Sequence, residues 1–180
     1  ENSAEFKAAK GNDKNSGLSN LINAFLNHFE DIKRDRLSAP LGNMFITESD
    51  LTKAEGYYSS SIMEYIHLGL VKAEEIYLGK SSNGFEGPGL FTVLEKTGTA
   101  FSDSVSLAVQ IKNQFKDLVA LAKELSHSNK PLSELVANSD TKQKVKDLNN
   151  AWKALIPLLK SDMTRQALDI EISYYDGDND

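Results

Sequence analysis

Cysteine is absent from the 180 residues, which excludes disulfides, zinc–thiolate sites and thiol nucleophiles together and leaves the redox compartment undecided. Arginine is scarce, with 3 against 17 lysines, and the bias toward lysine and asparagine fits an AT-rich coding sequence. No apolar run approaches the roughly 20 residues of a membrane-spanning helix. Glu1 in place of methionine suggests a trimmed or a processed chain, and removal of a signal peptide is compatible with it. Histidine occurs three times, as His28, His67 and His127 on three separate segments. With no nucleophile-elbow pattern near them, these give no base-activated hydroxyl, and Ser59-Ser60-Ser61 reads more simply as the solvent face of a helix.

The formal charge of −6 is unevenly spread. Asp169, Glu171, Asp176, Asp178 and Asp180 follow the last basic residue, Arg165, so residues 1–165 carry only −1. A near-neutral body argues against nucleic-acid binding, which depends on neutralising many phosphates.

What is present is helical periodicity. Leu94, Phe101, Ala108, Phe115 and Ala122 recur every seven residues, and Ile111, Leu118 and Leu125 follow three later. Side chains three and four apart share one face of a helix, so this double seam predicts a long rod over about 90–127 that packs against other rods. Thr97-Gly98-Thr99 bends that helix or delays its start. A first helix is predicted over 17–37, carrying Leu18, Leu21, Ile22, Phe25, Phe29 and Ile32 and ending before Pro40. A second should begin at Thr47, with Asp50 in its first turn, and end at Gly79. Its expected buried stripe is Leu51, Ala54, Tyr58, Ile62, Tyr65, Gly69, Ala73 and Ile76. The glycine-rich stretch from Gly79 to Gly89 is a loop. After Pro131 come a short turn over 132–136 and a fourth helix capped by Ser139 or Asp140. Its core residues are Val145, Leu148, Trp152, Leu155, Leu159 and Met163, and Pro157 should kink it near 153–157. Beyond Leu168, Ile170, Ile172 and Tyr174 alternate, as a frayed helix end or a short strand does. The expected architecture is an all-α, elongated antiparallel four-helix bundle. Residues 1–16 form a flexible polar leader, 17–168 a single domain and 169–180 an acidic tail.

Three motifs imitate known sites. The pairs Glu64/His67 and Glu124/His127 have the Glu-x-x-His spacing of carboxylate-bridged di-iron bundles. At 100° per residue, however, Glu64 and His67 lie about 100° and 160° from Tyr65, and the second pair also points off its seam. Gly79-Lys80-Ser81 resembles the end of a phosphate-binding loop, but Glu74 stands where that motif needs its first glycine. Asp176-Gly177-Asp178-Asn179-Asp180 begins like a calcium loop and lacks the later ligands. No metal or cofactor is therefore expected, and His28 reads as a partly covered helix residue.

One surface feature remains. Lys142, Lys146, Lys153 and Lys160 lie about 80° to 120° from Trp152, while Lys112, Lys116 and Lys123 lie about 60° to 100° from Phe115 in the same sense. If the third and fourth helices pack antiparallel, these flanks meet as a seven-lysine field for a protein or anionic glycan partner. Separate solvated faces are the simpler reading. The functional expectation is a non-enzymatic binding protein, the ectodomain of an exported or surface-tethered antigen located outside the cell or at its surface. The alternatives are a cytoplasmic adaptor, regulatory or immunity-type bundle and, behind these, a ferritin-like metalloenzyme.

Overall fold

A computed structural model describes residues 16–42, 50–54 and 59–172, together with Gly11 and Tyr57. The described chain is mostly helical, with little sheet. Helix α1 (Gly17–Lys33) starts where the Ser16 hydroxyl accepts from the Ser19 amide at 3.0 Å, satisfying an amide the first turn leaves free. It winds on as a π-helical turn through Arg34–Ser38, close to the predicted limit at 37. Helix α2 (Ile62–Leu78) ends at Gly79, whose φ of 71° suits a residue without Cβ. Next come α3 (Leu90–Thr97), an antiparallel hairpin of β1 (Ala100–Ser102) and β2 (Val105–Ser106), α4 (Leu107–Ser126), α5 (Leu132–Ala137) and α6 (Ser139–Pro157).

Three elements differ from expectation. The second helix does not run from 47 to 79: Leu51–Lys53 is a short 3-10 turn and the α-helix begins only at Ile62, while Thr47 and Tyr58 lie outside the described residues. The predicted 90–127 rod is two helices. Gly98 takes a left-handed φ of 67° that ends α3, and the Ser106 hydroxyl caps a new start at α4, so Phe101 sits 47% exposed on the hairpin rather than in the seam. At the fourth helix the cap is Asn138, whose side chain accepts from the Asp140 and Thr141 amides. Beyond Pro157, which has no amide to continue the α pattern, the chain widens into a π-helix over Leu158–Ala167.

Contacts along the helices fix their directions. The Tyr77 hydroxyl near the end of α2 donates to the Ala108 carbonyl near the start of α4 at 2.9 Å, so these two run antiparallel. Lys144 at the start of α6 pairs with Glu124 at the end of α4, making that junction antiparallel too. Ile32 late in α1 meets Gly69 in α2, and the Arg36 guanidinium lies 6.0 Å from the Tyr65 ring, which sets α1 antiparallel to α2. An aromatic cluster ties the four together. Phe29 of α1 contacts Phe115 of α4 edge-on at 5.5 Å and Trp152 of α6 at 5.2 Å, while Tyr77 of α2 lies 5.4 Å from Phe115. Such pairs add about 0.5–1.5 kcal/mol beyond the area they bury. Burial raises the Tyr77 phenol above its ordinary value, so the hydroxyl stays a donor. Ile170 and Ile172 are buried in non-helical chain, where the Glu171 carbonyl accepts from Asn23 of α1 at 3.1 Å.

Candidate functional site: an apolar groove between two helices

Helix α2 is apolar on two faces. Ile62, Met63, Ile66, Leu70, Ala73 and Tyr77 enter the core, whereas Tyr65, Leu68 and Ile76 are 46–47% exposed. The stripe expected from Tyr65 and Ile76 is thus rotated from the observed one, because a helix apolar on most of its circumference gives periodicity no unique phase. The second face borders α1, where Leu21 is 44% exposed and Ala24 and His28 are also exposed.

Between them lies a groove of about 260 Å³. Phe25, Phe29 and Ile32 form its α1 side and floor, and Gly69, Ala73 and Ile76 its α2 side. It exists because Ala24, Gly69 and Ala73 are small; a Cβ at Gly69 would already lie 3.1 Å from the Ile32 methyl. His28 and Lys72 also line it, and no carboxylate does among the described residues. At Lys72 and Ile76 the groove opens into a second hollow of about 350 Å³ beneath Phe85, which is 66% exposed.

Phe85 is held there by an ordered loop. Lys80 and Glu86 bridge in antiparallel fashion with an ion pair of 2.9 Å, and the Ser81 amide donates to the Phe85 carbonyl at 2.9 Å. Glu75 fastens this loop to α2 by accepting from Lys72 at 2.7 Å and from the Ser82 amide at 2.9 Å, and the Lys72 bond holds its carboxyl below the usual range.

The sequence-derived site residues are distributed differently. The seven lysines do not form one field. Helix α6 meets α4 on the Glu124 flank, through Lys144, and this leaves Lys112, Lys116 and Lys123 on the α2 side of α4. Lys112 lies 5.5 Å from the Phe91 ring; Lys112 and Lys116 approach Glu74, whose carboxyl is raised chiefly by burial and next by Glu75. In the π-helical continuation of α6, Lys160 pairs at 2.6 Å with the nearly buried Glu30 of α1, and Lys142, Lys146 and Lys153 of α6 share its flank, with Lys142 and Lys146 exposed and Lys153 half-buried. The stripes therefore occupy different junctions.

Glu64, Glu124 and His127 are exposed and His67 half-buried; Glu124 turns to Lys144. Burial first, then Lys123 and His127, lower the His67 pKa against the pull of Glu64. Among the described residues no group of three or more His, Cys, Asp or Glu is placed to hold a metal ion. Asp176 to Asp180 lie outside the described residues. No described helix is long and apolar enough to cross a membrane.

Residues 1–159 match the family model of imelysin, peptidase M75. This chain belongs to the imelysin family. That match overturns the expectation of a non-catalytic surface antigen, since the family carries the name of a peptidase family, and it removes the ground for reading the chain as no enzyme. No curated protein and no solved structure matches this imelysin-family chain. Sequence reasoning missed the groove. The available signal was the excess of apolar residues on α2, where Leu68, assigned to no stripe, stood beside Tyr65 and Ile76.

Proposed function

We propose that this imelysin-family protein acts on polypeptide, holding it in the α1–α2 groove of an antiparallel four-helix bundle. One observation carries the reading: a half-open apolar groove with small residues along it and large apolar side chains, Leu21, Ile76 and Phe85, exposed at its edge. Large apolar surface left in water marks a binding site far more often than a structural need. The peptidase name of the family supports polypeptide as the ligand class. The usual secreted or periplasmic location of imelysin-family proteins supports an extracytoplasmic site of action.

The test is binding of a fluorescein-labelled apolar peptide, followed by mass spectrometry of the peptide after incubation. Leu21→Glu combined with Ile76→Glu should weaken binding at least tenfold with the far-ultraviolet circular dichroism unchanged, because both positions are half-exposed at the groove. A peptide that binds but is recovered intact would remove hydrolysis from the proposal and leave the holding role. Binding indifferent to both substitutions would remove the groove.

A further inference from the structure

The polypeptide reading leaves open which conformation and charge the groove takes, and its walls answer both. Leu21, Ala24, His28 and Ile32 stand at i, i+3, i+7 and i+11 on α1, and Gly69, Lys72, Ala73 and Ile76 at i, i+3, i+4 and i+7 on α2. This is the spacing with which one helix receives another. Ala24, Gly69 and Ala73 let a third backbone come close. An extended peptide lying here would have to place its amides and carbonyls between two helices whose own backbone groups are already paired, with no strand edge among the described residues alongside the groove to receive them. A helix satisfies those groups internally. The polar residues that line the groove, His28 and Lys72, are both bases, and no carboxylate lines it among the described residues. Lys72 gives one of its three donors to Glu75 at 2.7 Å and a second to the Ser82 hydroxyl at 3.4 Å, and keeps its side chain 58% exposed.

We propose that the groove binds an amphipathic polypeptide helix of about three turns that carries a carboxylate at the centre of its apolar face. The length follows from the span of Leu21 to Ile32 along the α1 side, which at 1.5 Å per residue is roughly 16 Å. Arg36 over Tyr65 stands at one end of this span and the Phe85 loop at the other. The charge follows from the basic lining.

This inference rests on the polypeptide reading, and the experiment separates the two. Fluorescence anisotropy compares three labelled Ala/Leu peptides of about 14 residues, long enough for three helical turns plus ends. The first has apolar residues at helical spacing with a central Glu, the second has Lys in its place, and the third has a central Pro that breaks the helix. The Glu peptide should bind at least tenfold more tightly than the Lys peptide, and the Pro peptide should lose binding. Lys72→Glu should reverse the preference between the first two, an exchange that simple damage to the fold does not produce. Equal binding of the Glu and Lys peptides, or undiminished binding of the Pro peptide, overturns the helix-and-carboxylate inference and leaves polypeptide binding standing. Failure of all three to bind overturns both.

Discussion

Phe29 touches Phe115 and Trp152 from the one helix that also builds the groove floor, so the core and the candidate site share a side chain. Phe29→Ala should destabilise the protein by about 3–5 kcal/mol in urea titration, the range for removing a buried aromatic ring. His67 gives a second residue-scale prediction. Its imidazole is depressed by burial and by Lys123 and His127, so the folded state holds fewer protons there than the unfolded chain. Stability from this group is present above the unfolded histidine value, about 6.5, and is lost as pH falls through the lower folded value. Thermal melts of His67→Gln should lose part of the decline that the unaltered protein shows on mild acidification; identical profiles would contradict this. At this scale the sequence was partly legible. Ile111, Phe115, Leu118, Ala122, Trp152 and Leu155 are buried as their spacing implied, because each lies on a helix with one dominant apolar face. Tyr65 and Ile76 were misplaced because α2 has two.

Among the elements, the loop after α2 is the most constrained. Gly79 has a left-handed backbone, and a Cβ there would run into the backbone of Gly87 to Gly89. Gly79→Ala should therefore cost about 1–2 kcal/mol from backbone conformation and more from the clash with Gly87 and Gly89, and hydrogen exchange should rise across 79–89, since the Gly87 amide donates to the Gly79 carbonyl at 2.7 Å. Unchanged exchange would show that the loop is not set by this glycine. Composition identified the segment as a loop but not its order, which comes from the Glu75 bonds to Lys72 and Ser82. The split of the 90–127 seam has a similar cause. A heptad pattern continues across Gly98 and Ser106 in sequence, but a left-handed glycine and a serine cap interrupt the backbone.

On the scale of the whole molecule, helix existence was legible and helix adjacency was not. Four amphipathic segments can ring a core in more than one order, and the seven-lysine field required α4 and α6 to meet on their lysine flanks. The Lys144–Glu124 and Lys160–Glu30 pairs show the other arrangement, which leaves the outer face of α1 and α2 as the apolar side. That face is where we propose that polypeptide binds. The central claim is tested most directly by titrating a labelled apolar peptide against the intact protein and against Leu21→Glu with Ile76→Glu. The account predicts saturable binding that falls at least tenfold in the variant at unchanged helicity; equal binding to both proteins, or to neither, would contradict it.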